Sequence, residues 1–156
     1  MDPTRLKDAT KHWLTGVGVV TTAYGDEKHG ALVNNVACVS MDPPLYLACL
    51  GNSSRTLAAV LASRRFNIHF LASDQQAVAM AFAARDGDKF AVVAHEAGVL
   101  GAPVLSGALA CIECELQSTT EAGSGTIVIG RVVEVRERAG EPLGMLGRDF
   151  VSVGGV

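Results

Sequence analysis

Over 156 residues the chain is 49% apolar and 19% charged, enough core for one domain spanning 1–156 and too apolar for a disordered segment. A formal net charge of −3 sets nucleic acid aside as an expected partner. No stretch reaches the apolar length of a bilayer span, and Met1-Asp2-Pro3-Thr4-Arg5-Leu6 lacks the basic start and apolar run of a signal peptide, so no membrane contact and a cytoplasmic location are expected.

The first element is an amphipathic helix over Pro3 to Leu14. Asp2 supplies the N-cap, Pro3 the first helical position, and Leu6, Ala9, Thr10 and Trp13 an inward stripe. Trp13 reads as core or interface packing. Gly16 to Thr22 is a β-branched strand, and Gly25 to Gly30 is the polar loop of a hairpin. The next stretch, Gly30 to Pro44, organises the chain. It is an apolar β segment interrupted by two adjacent amides, Asn34 and Asn35, where a strand interior disfavours Asn. Such a pair satisfies a bulge or turn, or faces a ligand. Pro43-Pro44 ends that strand, because proline offers no ladder donor and keeps its predecessor extended.

The strand Leu45 to Leu50 follows and runs into the polar cluster Gly51-Asn52-Ser53-Ser54-Arg55-Thr56. Ser53 or Ser54 caps a helix through Leu57 to Ala62, and a capped helix start presents free N–H groups to an anion. Phe66 to Leu71 is a strand with Phe66, Ile68 and Phe70 on one face. Asn67 and His69 lie on the other, with His69 a hydrogen-bonded strand residue. Asp74 caps a second helix, Gln75 to Ala84. Arg85 to Phe90 is a charged turn, and Val92 to Pro103 reads as loop, with His95-Glu96 solvated. Leu109 to Gln117 and Thr126 to Glu137 are long strands around the loop Glu121 to Gly125, and Met145 to Val153 adds a last strand.

Six or seven short strands with two to three flanking helices predict a mainly β, β-rich α+β fold: a Greek-key-like antiparallel barrel, not a doubly wound sheet. No G-x-G-x-x-G opens a helix, and no P-loop, H-E-x-x-H or G-x-S-x-G occurs. Cys38, Cys49, Cys111 and Cys114 read as free thiols in a reducing compartment. Cys111 and Cys114 have C-x-x-C spacing, but residues three apart on a strand point to opposite faces, so no metal site is expected.

An ordered set of segments resembles the flavin reductase family of FMN-binding split barrels, the short-chain reductases that supply reduced flavin to two-component monooxygenases. The segments are Thr15 to Thr22, His29-Gly30, Asn34, Val39 to Pro44, Ser54-Arg55-Thr56, Phe66-Asn67, Phe82-Ala83, Asp88-Lys89-Phe90, Gly101 to Leu105, Cys114 and Thr126 to Val132. The resemblance covers roughly residues 10 to 135 and implies a homodimeric split β-barrel. It implies FMN or FAD near the subunit interface and hydride transfer from NADH or NADPH. It places the stretch Leu32, Val33, Asn34, Asn35 and Val36 along the flavin ring and ribityl chain, Ser54 and Thr56 at the phosphate, and Phe90 as a wall of the pocket. The residues themselves add the strand end Cys49-Leu50, with Asn34 and Asn35, as donors for the ring edges, and Ser53 as a further hydroxyl for the phosphate.

The chain departs from the family pattern at ligand-facing positions. Leu32 stands for a usual Thr, Asn35 for a Ser, Ser53 for a frequent Arg, and Gly125 for the His of Gly-Asp-His-Thr. The catalytic role of that His therefore has no bearer here. Two functions stay open at this stage. One is an NAD(P)H:flavin oxidoreductase serving a monooxygenase. The other is a repurposed split barrel that binds or transforms an apolar small molecule in a pocket widened at Leu32, Val33, Val36 and Gly125.

Overall fold

A computed structural model describes residues 1–154, which carry four helices and twelve strands. Helix α1 (Pro3–Thr10) begins where the Asp2 carboxylate accepts the Thr4 N–H at 2.9 Å. It stops four residues short of the expected Leu14. The N–H groups of Lys11, His12 and Trp13 each reach back three residues, a tighter turn that unwinds the helix. No residue of α1 is buried and Trp13 is 75% exposed, so the expected inward stripe is not covered by the rest of the chain.

Strands β1 (Thr15–Gly16), β2 (Gly18–Tyr24) and β3 (Glu27–Val33) come next. The hairpin loop is only Gly25-Asp26. Tyr24 pairs with Glu27, and Gly25 takes φ +61, which L side chains rarely adopt. Lys28 and His29, expected in a loop, are strand residues. Then follow β4 (Val36–Met41), β5 (Pro44–Gly51), α2 (Arg55–Ser63), β6 (Arg65–Phe70), α3 (Gln76–Ala83) and α4 (Lys89–Val92). The expected cap from Asp74 does not form. Gln75 occupies that place, its amide taking the Ala72 N–H and donating to the Ser106 carbonyl. The segment expected as loop holds two short paired strands, β7 (His95–Ala97) and β8 (Pro103–Leu105). The long strands β9 (Ala110–Ala122) and β10 (Gly125–Glu137) meet at a two-residue turn. The last expected strand is a hairpin, β11 (Leu143–Leu146) and β12 (Asp149–Ser152), split at Gly147 with φ +65.

Seven strands form one sheet in the order β3-β2-β6-β9-β10-β5-β4, antiparallel throughout. One apolar cluster joins Val33 of β3, Ala48 and Leu50 of β5, Val20 of β2, Phe66 and Ile68 of β6, and Val128 of β10, with Val36 of β4 packed against it. Both ends of the sheet feed that cluster, so the sheet curls into a barrel, and Leu57 and Val60 of α2 fill it. Strands β3 and β4 are the two sheet edges and do not pair with each other. The barrel is split along that seam, and Asn34-Asn35 bridge it between the end of β3 and the start of β4.

Alternation on β2 sends Val19 to the outer face. There it joins Val17, Leu71, Ala79, Phe82, Val93, Leu105 and Leu143 in a second cluster under α3 and the β7-β8 arm. Among the described residues no helix is long and apolar enough to cross a membrane.

Candidate functional site

The chemistry concentrates where β5 ends and α2 begins. Ser54 is extended (φ −70°, ψ 128°), its hydroxyl accepts the Leu57 N–H at 3.3 Å, and its carbonyl accepts the Ala58 N–H. The first-turn N–H groups of Arg55 and Thr56 have no partner within the helix and point along the positive end of its dipole.

They open on a cleft of about 940 Å³ between three walls. Ser53 to Thr56 form one, Asp26 to Ala31 of the β2–β3 hairpin the second, and the α3–α4 segment with Lys89 and Phe90 the third. Arg55 Nη2 donates to the Arg85 carbonyl at 2.7 Å. Lys89 Nζ donates to the carbonyls of Gly30 (3.3 Å) and Phe82 (3.2 Å). Burial, and then the charge of nearby Arg55, hold the Lys89 ammonium below the ordinary lysine range. Two like charges that disfavour each other are stabilised by an anion between them.

Gly30 makes that wall possible. A Cβ there would lie 2.3 Å from Phe82 Cε1 and 3.4 Å from Phe90 Cζ, so only glycine lets the two rings press on β3. The rings meet edge to face at 5.4 Å.

The ten residues expected at the site divide into three groups. Ser53, Ser54, Thr56 and Phe90 line the cleft together. Asn34 and Asn35 lie exposed at the seam, lining a separate cavity of about 410 Å³ with α1, Trp13 and Thr15. The Asn35 carbonyl accepts the Cys49 N–H at 3.0 Å, which ties the seam to half-buried Cys49. Val33 and Leu50, in contrast, turn their side chains into the barrel core at 6% and 3% exposure, and Leu32 packs on the outer cluster. Strand alternation decides this: at Val33 and Leu50 only main-chain groups are open to a ligand.

Sequence reasoning missed Arg55, Arg85, Lys89 and Lys28 as cleft residues. Arg55 sits inside the Ser54-Arg55-Thr56 segment, and Lys89 directly precedes Phe90, so both had a local signal.

Gly125 opens β10 opposite Gly51. A Cβ there would meet Leu50 O at 3.6 Å and Ala122 O at 3.9 Å, ordinary contacts. Its neighbour Asn52 laces the turn, donating to Gly123 O at 3.0 Å and accepting the Thr126 hydroxyl at 2.7 Å.

Other polar groups are structural. His69 Nδ1–H donates to Val19 O and Nε2 accepts the Leu105 N–H, both at 3.0 Å. Its contact with Cys111 Sγ at 3.3 Å makes no nucleophile, because burial pushes that thiol up to about 12. Fully buried Glu113 accepts the Val99 N–H at 2.7 Å and Arg136 Nε at 3.2 Å, pinning the turn after β7. His95 and Glu96 are not a merely solvated pair: His95 Nε2 meets Lys28 Nζ at 2.8 Å, and Glu96 pairs with Arg136.

The donor set fits a phosphate ester: serine hydroxyls, two open helix N–H groups and two cations. Comparison with known proteins gives the family. The family model described as "Flavin reductase like domain" matches residues 11–154. The chain is 36% identical over 137 residues to the reductase subunit HsaB of a flavin-dependent monooxygenase from Rhodococcus jostii, covering 88% of this chain and 70% of that protein. It is 36% identical over 145 residues to an FMN reductase (NADH) from Agrobacterium fabrum, covering 93% and 83%. Among solved structures, an NADH:FAD oxidoreductase of Streptomyces globisporus superposes with a TM-score of 0.94 at 31% identity, covering 99% of this chain and 95% of that one.

Proposed function

The chain belongs to the flavin reductase like family, and from that premise we propose that it moves a hydride from NADH or NADPH to FMN or FAD and passes the reduced flavin to a partner monooxygenase. The observation that carries this reading is the cleft at the start of α2, where Ser54, the Arg55 and Thr56 N–H groups, and the Arg55 and Lys89 side chains converge.

When bound, flavin supplies the electron-poor ring that accepts the hydride. The chain's own work is positioning. Ser53, Ser54, Thr56, Arg55 and Lys89 hold the phosphate. Asn34, Asn35 and the main chain at Val33, Cys49 and Leu50 offer polar groups to the ring edges from the seam, and Phe90 walls the cleft. Hydride transfer needs no protein acid or base, so the lack of a side chain at Gly125 leaves a ring face open without removing a proton donor.

The exposure of Trp13, Leu14, Val39 and Met41 supports a homodimer, since these apolar residues lie on the exit from α1 and on the β4 edge with nothing over them in one protomer. Free thiols at all four cysteines suit a cytoplasmic location. The repurposed-barrel reading needed an emptied apolar pocket. Leu32, Val33 and Val36 instead pack into the two cores, so the geometry does not favour it.

The test is anaerobic mixing of the protein with flavin and excess NADH, then NADPH, against a protein-free control. Bleaching of the yellow flavin absorbance faster than the control is expected. No acceleration with either flavin and either nucleotide would overturn the reading.

A further inference from the structure

We propose that the cleft takes the adenylate half of FAD, so that this chain selects FAD over FMN. The inference rests on the flavin reductase reading and concerns what lies beyond the first phosphate.

Position comes first. The ring-side residues Asn34, Asn35 and Cys49 connect through β5 and Gly51 to the phosphate anchor at Ser54. None of the residues from Leu32 to Leu50 lines the cleft. The cleft starts at Ser53 to Thr56 and continues toward Asp26 to Ala31 and Ala84 to Ala91. A mononucleotide flavin ends at its phosphate and would leave that space unused. With the phosphate anchor included the cleft measures about 940 Å³, as large as a whole small-molecule site and far more than a phosphate group fills.

The chemistry of the walls matches the missing half. Arg55, Arg85 and Lys89 line the cleft, Asp86 Oδ1 stands 4.0 Å from Arg55, and a pyrophosphate brings a second negative charge for the remaining cations. The small side chains of Ala84 and Ala91 beside the Phe90 ring leave room for a flat base. Asp26 and Glu27 offer acceptors for ribose hydroxyls. Strand β3 is a sheet edge, so part of its main chain faces no partner strand and is free to pair with a purine edge. The slot is also set in advance. Phe90 is held edge-on by Phe82 at 5.4 Å and His95 at 5.1 Å, and Lys28 Nζ ties the hairpin to His95 at 2.8 Å. A site already in its bound shape binds without an ordering cost.

The experiment is equilibrium titration of FMN and FAD by flavin fluorescence, with no nicotinamide nucleotide present. FAD is expected to bind at least about tenfold more tightly, and adenosine to compete with FAD while leaving FMN unaffected. Ala91→Trp, which fills the slot, is expected to bring the two affinities within about twofold by weakening FAD. Lys28→Glu, at the far end of the slot, is expected to act in the same direction should the first variant fail to fold. Equal affinities in the unaltered protein, or adenosine without effect on FAD, overturns the selection while leaving the reductase reading standing. So does adenosine that competes with NADH in turnover but not with FAD, which would assign the slot to the nicotinamide nucleotide. Binding of neither flavin overturns the reductase reading itself.

Discussion

His69 sets a pH dependence of stability that can be worked from its surroundings. The Leu105 N–H points at Nε2, so the native ring is neutral with its proton on Nδ1 toward Val19 O. Burial pulls its pKa down to about 4, against an opposing pull from the Val19 hydrogen bond. In the unfolded chain the ring titrates near about 6.5. The stability that neutral His69 contributes is therefore complete above the unfolded value and is lost as pH falls toward the folded one, because only the unfolded chain takes up the proton in that window. Between about pH 7.5 and about pH 4.5 the loss comes to roughly 2.5 kcal/mol. Urea unfolding at both pH values, on the native protein and on His69→Gln, isolates the term, since the carboxylates titrate alike in both. The variant is expected to start less stable and to lose about 2.5 kcal/mol less on acidification. Flavin reduction per folded molecule at neutral pH is expected to stay unchanged, because His69 holds β8 and not the site. Parallel losses in the two proteins would refute the argument.

Three further outcomes follow from the same geometry. Lys89→Met removes one cation from the phosphate anchor. Flavin affinity by fluorescence titration is expected to fall by about tenfold or more, in line with a charge-assisted contact; an unchanged affinity would take Lys89 out of the anchor. A Cβ at Gly125 meets only ordinary contacts, and Gly125→His is expected to leave the urea midpoint in place. An aromatic contact of about 1 kcal/mol made in the transition state would speed anaerobic flavin bleaching roughly fivefold, and an unchanged rate would show that the position does not face the reacting rings. Gly130→Val forces a Cβ to within 2.5 Å of Cys114 Cβ and 2.7 Å of Phe66 Cζ inside the barrel. A loss of about 1–3 kcal/mol in urea unfolding is expected, and no loss would mean that β9 and β10 separate there more easily than their pairing suggests.

The barrel was readable where local rules and tertiary packing agree. Asp2 and Ser54 are caps in the sequence and caps in the structure, and Val19 and Val20 alternate between the two cores as a β-branched strand should. It was unreadable where an edge strand looks like a loop. Strand β3 begins Glu27-Lys28-His29, with the first two exposed and His29 half-buried, so its polar residues carry no periodic signal. The arms β7 and β8 have three residues each, too few to display a period. The break between β11 and β12 depends on the positive φ of Gly147, one glycine among seventeen.

The site was readable to the extent that it is local. Ser53 to Thr56 could be found because capping chemistry lies within four consecutive residues. Leu32, Val33 and Leu50 were assigned to the ligand by segment, yet a segment of strand serves two faces, and the barrel core took two of the three side chains. Ser53 in place of a frequent arginine removes one potential cation. The fold brings another to the same cleft: Lys89, 36 positions later, carried there by α3 and the turn that follows it, with Arg55 also in the lining. An anion responds to charge at a distance in space and not to a position in an alignment. A departure at one family position therefore argues for lost function only after the neighbours that the fold supplies have been counted, and at this cleft they restore the positive charge that the sequence had seemed to remove.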